Sequence, residues 1–259
     1  LFVAMLLLLS SCGSVPLTGR KQVLLVSDQE VLSSSLTQYS DYMKSAKKSS
    51  SKDGAAMVTR VGKKIAAATE QYLRNNGLES EIKNFAWEFN LVNDPQVNAF
   101  CMPGGKIVVY EGLMQLVSSD DELAVVVGHE VAHAVAKHSN ERMSQQLMAQ
   151  YGAQILGQAL SNKSAAVQKI GASVYGLGAQ YGVMLPFSRK HESEADYMGL
   201  VFMAMAGYNP AVAVNFWQKM SAGKSGSTPE FMSTHPSDAT RINEIKQHLP
   251  EIEKYRVKK

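Results

Sequence analysis

Residues 120–138 read DDELAVVVGHEVAHAVAKH, and the reading of the whole chain turns on this stretch. Leu123, Ala124, Val125, Val126, Val127, Val131, Ala132, Ala134 and Val135 make it apolar almost all round, the pattern of a helix buried in a core. Ser119, with Glu122 three residues on, is a capping-box signal for its start. Inside it stands His129-Glu130-Val131-Ala132-His133. Four residues advance a helix by about 400°, which leaves the two imidazoles about 40° apart on one face. Both can reach one metal ion at about 2.0–2.1 Å from each ring nitrogen. Glu130 lies about 100° round, beside the ion without having to bind it, where a carboxylate can hold a water and take its proton. The plainer alternative is an amphipathic helix with two solvent-facing histidines. It conflicts with the apolar surroundings, because buried neutral imidazoles need partners.

A catalytic zinc has three protein ligands and an open position, so a third ligand is expected elsewhere. Residues 187–196 read FSRKHESEAD. On a helix Glu192 and Asp196 share a face, whereas Glu194 points roughly opposite. Glu192 is the expected third ligand. Asp196, one turn on, is placed to accept a hydrogen bond from a ligand histidine. Alone, this segment reads better as a charged surface helix with i,i+4 pairs; beside the two-histidine motif the ligand reading is preferred. His138 and His191 fall off the ligand faces and are expected at the surface or just behind the ligands. Met198, Met203 and Met205 are expected as core packing.

The remaining pattern is mostly helical. Helices are expected over residues 27–48, 55–73, 141–181, 188–205, 209–220 and 237–249, with a Lys- and Ser-rich loop over 47–54. Alternation of Phe85, Trp87, Phe89 and Leu91 predicts a strand, and Lys106 to Tyr110, after the turn Pro103-Gly104-Gly105, predicts another. The second strand is open to two readings, a core strand or one that pairs with an extended substrate. The fold class is therefore α+β, predominantly helical, with a small sheet beside the motif helix.

The 259 residues are 45% hydrophobic and 19% charged, which excludes a disordered chain. A net charge of +3 with no basic stripe gives no reason to expect nucleic acid. Two cysteines exclude a disulfide framework and a four-thiolate zinc site. The chain opens LFVAMLLLLSSC, an apolar run about half the length that spans a bilayer. Residues 1–11 are expected to be part of a signal peptide. Leu9-Ser10-Ser11-Cys12 resembles a bacterial lipobox, which implies cleavage before Cys12, acylation of its thiol and a membrane anchor. Residues 12–54 would then be a tether and N-terminal helix, and 55–259 the catalytic domain. Polar residues interrupt 143–185, so it is not expected to span a membrane.

Together, His129-Glu130-Val131-Ala132-His133 and Glu192-Ser193-Glu194-Ala195-Asp196 resemble the gluzincin family of CAAX prenyl proteases and HtpX-like endopeptidases. The nearest likeness is to its soluble periplasmic lipoprotein branch, with OMA-like mitochondrial relatives. Asn98-Ala99-Phe100, Pro103-Gly104-Gly105 and Glu111-Gly112-Leu113 are similar to the family's active-site strand region. Thr234-His235-Pro236 with Arg241 is similar to its C-terminal segment. The resemblance implies a zincin-like fold and one zinc per chain on His129, His133 and Glu192. It makes Glu130 the catalytic base and Asp196 a second acidic residue of the site. His235 would approach the open zinc position, and His235 or Arg241 would stabilise an oxyanion. The implied activity is a zinc-dependent endopeptidase acting on unfolded or misassembled proteins. It would be lipid-anchored in the bacterial cell envelope, facing the periplasm from the outer membrane. The alternative is a zinc-bearing envelope chaperone or assembly factor with latent proteolysis, its site closed by His235.

Overall fold

The computed structural model describes residues 12–161, 185–222, 231, 235 and 239–257. Strands β1 (Cys12–Ser14) and β2 (Lys21–Val23) pair antiparallel. Val15, just after β1, is buried in the main core. The structure thus differs from an open tether at this point. Strands of three residues carry no readable periodicity, and what holds this hairpin lies far along the chain. Helix α1 (Asp28–Ser45) starts at a full capping box of Ser27 and Glu30. It buries Val31, Ser35 and Tyr39. Helix α2 (Lys52–Asn75) begins inside the expected loop because Ser51 caps it, accepting from the Gly54 N–H. It buries Val58, Val61, Ile65 and Leu73 along one face.

A short helix α3 (Glu79–Ile82) leads to the sheet. Strands β3 (Glu88–Val92), β4 (Ala99–Met102) and β5 (Lys106–Tyr110) lie in the order β3-β5-β4. Phe85 and Trp87, expected in the first strand, stack on each other ahead of it, with centroids 4.5 Å apart. Strand β5 runs parallel to β3 and antiparallel to β4, and all five of its residues are buried. Both its sides are therefore paired, which corrects the reading of β5 as a strand open to substrate. The edge strand on the side of the motif helix is β4.

After the short helix α4 (Glu111–Met114) comes α5 (Asp120–Val135), the motif helix. The Ser119 side chain accepts from the Glu122 N–H, while the Glu122 carboxylate accepts from the Ser118 N–H, one residue before the cap. Leu123 to Ala132, ten consecutive positions and more than two turns, are buried without a break, so the helix has no solvent face there. Lys137, left-handed at φ 57°, separates α5 from α6 (His138–Leu160). Its ammonium is held by Asp28 Oδ2 at 2.6 Å and Glu81 Oε2 at 2.9 Å. The expected helix 141–181 is described as far as Leu160, and its residues 162–181 lie outside the described residues. Among the described residues, helices α7 (Leu185–Met205), α8 (Val212–Ala222) and α9 (Ala239–Ile252) follow, with a 3₁₀ turn at Glu253–Tyr255. Helix α5 packs against α7, α2, β4 and α8. Met198 and Met203 of α7 are fully buried in this core, and Met205 packs on its margin. Among the described residues no helix is long and apolar enough to cross a membrane. The architecture is α+β, largely helical, with its small sheet laid against the motif helix.

Candidate metal centre

Helical spacing brings His129 and His133 to one face of α5, with their Nε2 atoms 3.0 Å apart. Helix α7 supplies Glu192 from the opposite side. Its Oε2 lies 3.3 Å from His129 Nε2 and its Oε1 3.4 Å from His133 Nε2. His235 adds Nδ1, 3.3 Å from His129 Nε2 and 3.1 Å from Glu192 Oε1. The four donor atoms lie within 4.8 Å of one another. Tetrahedral zinc with bonds of about 2.0–2.1 Å requires donor separations of about 3.3–3.4 Å along its edges. The separations found between these pairs, 3.0 to 3.4 Å, are close to such an edge, with Glu192 turning one oxygen to each imidazole of α5. The chemistry of the set, three imidazole nitrogens and one carboxylate, also suits zinc.

Glu130 stands beside this set without joining it. It is buried, and its Oε2 accepts from the Cys101 N–H of β4 at 3.1 Å. Its Oε1 has no hydrogen-bond partner among the described residues and lies 3.5 Å from His235 Nε2. An unpaired buried carboxylate oxygen is costly. Burial pushes the Glu130 carboxyl above its ordinary range, with His235 and His129 pulling the other way. Such a group can take up a proton.

The carboxylate behind the donors is Asp196. Its Oδ1 lies 2.9 Å from His129 Nδ1, so His129 donates there and keeps Nε2 for a metal. Arg241 of α9 binds Asp196 in a fork, Nε to Oδ2 at 2.7 Å and Nη2 to Oδ1 at 2.8 Å. Its Nη1 donates to Glu192 Oε2 at 3.0 Å. Arg241 therefore ties the candidate donor Glu192 to the partner of the candidate donor His129, and its guanidinium lies over the Trp217 ring at 5.1 Å. Burial raises the Glu192 carboxyl, but His129, His133 and His235 more than reverse this and hold it well below the usual range. Asp196 is lowered too, by Arg241 and His129 against burial. Burial pulls His129 down, yet Asp196 and Glu192 override it and push the ring up to about 9. His133 is pushed well below its ordinary value, first by burial.

The seven residues that the sequence assigned to the zinc site, His129, Glu130, His133, Glu192, Asp196, His235 and Arg241, thus meet at one place, whereas Cys12 stands apart in β1. Thr234 and Pro236 lie outside the described residues. Sequence reasoning missed the aromatic wall, in which Trp217 and Phe231 stack at 5.7 Å and Phe231 stacks on His235 at 4.5 Å. Of the two places expected for His138 and His191, the surface or just behind the ligands, the structure shows the second: both are buried, each on a carboxylate.

Comparison with known proteins follows the same lines. Residues 59–249 match Peptidase family M48. The chain is 36% identical over 205 residues to the mitochondrial metalloendopeptidase OMA1 of Schizosaccharomyces pombe, covering 76% of this chain and 53% of that protein. It is 40% identical over 168 residues to the OMA1 metalloendopeptidase of Arabidopsis thaliana, covering 65% of this chain and 33% of that one. It is 33% identical over 174 residues to the beta-barrel assembly-enhancing protease of Yersinia pestis, covering 62% and 36%. The chain thus spans between a third and about half the length of these relatives. With the family match running from α2 into α9, across every residue of the donor set, the chain belongs to peptidase family M48.

Proposed function

We propose that the chain is a zinc-dependent endopeptidase that cleaves unfolded or misassembled proteins. The observation that carries this reading is Glu130, buried with a carboxylate oxygen that accepts no hydrogen bond among the described residues, beside four residues that could hold a metal. A purely structural zinc site would have no use for it. His129, His133 and Glu192 would hold the ion. Zinc, when bound, supplies Lewis acidity and a lowered pKa for the water it activates. Glu130 receives the proton at Oε1 and passes it to the leaving amine. Its Oε2 is fixed by the Cys101 N–H, so the carboxylate needs no reorganisation to act. That same bond puts the base on the outer edge of β4, where an extended substrate would add a strand. Arg241 serves as a positioning residue, because its Nε, Nη1 and Nη2 are all directed at Asp196 and Glu192.

His235 supports a second reading. Its Nδ1 stands where the fourth ligand of a closed site would be. The protein would then be a latent protease, or a zinc-bearing chaperone or assembly factor, until His235 withdraws. For location we propose the bacterial cell envelope, with a lipid on Cys12 facing the periplasm. The lipobox-like stretch and the likeness to the beta-barrel assembly-enhancing protease of Yersinia pestis support it. The decisive assay uses zinc-loaded protein and an unfolded substrate such as casein. Cleavage by wild type and none by Glu130→Gln, with zinc content equal, is expected. Equal turnover by both would remove Glu130 as the base.

A further inference from the structure

His133 offers Nε2 to the metal donor set, which leaves its Nδ1 facing the protein. Left-handed Lys137, between α5 and α6, turns the chain so that His138 at the start of α6 reaches His133 of α5. His138 Nδ1 lies 2.8 Å from His133 Nδ1, and His138 Nε2 lies 3.0 Å from Glu194 Oε2. Two facing ring nitrogens share one proton, which fixes the order along the line. His133, bound to a metal through Nε2, donates from Nδ1 to His138, and His138 donates from Nε2 to Glu194. The far side of Glu194 is held by the N-terminal hairpin. The Thr18 hydroxyl donates to its Oε1 and Arg20 Nε to its Oε2 at 2.8 Å. The two Nη atoms of Arg20 donate to Glu141 at 2.9 and 2.7 Å. Glu141 in turn accepts from His191 Nε2 at 3.0 Å, and the His191 ring stacks on His138 at 4.2 Å. His138, Glu141, His191 and Glu194 are all buried.

We propose that Thr18 and Arg20 of the β1–β2 hairpin are positioning residues of the metal centre, orienting His133 through Glu194 and His138. The proposal rests on the zinc reading of this same site. The hairpin makes Glu194 a fixed acceptor, Glu194 fixes His138, and His138 selects the tautomer and ring angle of His133. Partners of this kind are commonly worth 10- to 100-fold in metal affinity.

The test is the rate of zinc release from the full chain to a colour-forming chelator, with the visible spectrum of the cobalt-substituted protein as a second readout. Arg20→Gln and His138→Phe should each release zinc roughly 10- to 100-fold faster. Both should alter the cobalt bands, and the double variant should be no faster than His138→Phe alone. Arg20→Lys should recover part of the loss. If Arg20→Gln does not fold, Thr18→Val, which deletes one donor at nearly constant shape, takes its place. Release within twofold of wild type from the folded hairpin variants, or full additivity with His138→Phe, overturns the proposal. Wild type that takes up no zinc overturns the metal reading and the proposal with it, whereas zinc-bearing wild type with unaffected hairpin variants overturns the proposal alone.

Discussion

Gly128 of α5 and Gly199 of α7 meet backbone to backbone. A Cβ on Gly199 would lie 2.7 Å from the Gly128 carbonyl carbon and 2.7 Å from the His129 nitrogen. One on Gly128 would lie 2.7 Å from the Gly199 carbonyl oxygen. Gly128 adjoins His129, and Gly199 lies two helical turns beyond Glu192. The glycine pair therefore sets the gap between the helix that carries two imidazole donors and the helix that carries the carboxylate donor.

Gly199→Ala should force these helices apart. Overpacking of this kind costs about 1–3 kcal/mol. Zinc affinity should fall further than stability does, because Glu192 withdraws from the imidazoles. Chemical denaturation of metal-free protein and a zinc competition titration would show both effects. Wild-type values in both would mean that the contact does not set the site.

Arg241→Met should leave Asp196 and Glu192 as buried charges without their cation. Removing one member of a buried ion cluster costs about 3–5 kcal/mol. Arg241→Lys should recover little, since an ammonium cannot span both carboxylates as the planar fork does. Unfolding midpoints of the three proteins decide this, and full rescue by lysine would refute the fork.

His235→Ala should raise turnover of an unfolded substrate on the order of tenfold, about 1.4 kcal/mol in barrier, while weakening zinc. The variant removes the fourth donor and opens the position it fills. A loss of activity with zinc retained would instead give His235 a role in the reaction.

Acid should act through Glu141. Burial raises its carboxyl, but His191 and Arg20 override this and bring it down to about 2 from an ordinary 4.5. A lowered folded-state pKa adds stability above the unfolded value and loses it as pH falls through the folded one. This contribution is therefore complete above about pH 4.5 and fades toward pH 2. Urea unfolding from pH 5 to 2.5 should show a shallower decline for Glu141→Gln than for wild type; parallel curves would exclude the linkage.

The candidate metal centre was legible because its chemistry is written in short-range spacing. His129 and His133 are four residues apart, as are Glu192 and Asp196, and a helix turns such spacings into shared faces. Strand β5 was legible for the same reason, since Ile107, Val108 and Val109 state their preference locally. The hairpin was not, because Thr18 and Arg20 find their partners in Glu141 and Glu194, far along the chain. The burial of His138 depends on a left-handed lysine at 137, a conformation that no residue pattern announces. Glu194 was expected on the face opposite Glu192, and that face meets the hairpin.

The edge strand β4 is four residues long, about 13 Å of extended backbone. Under the proposed reading, a client must offer a comparable length of straightened chain before Glu130 can act on it. Helices, tight turns and paired strands cannot do so until they open. Cleavage rate would then follow how often a segment frays, so that the fold, without reading any particular sequence, measures the local instability of whatever it meets.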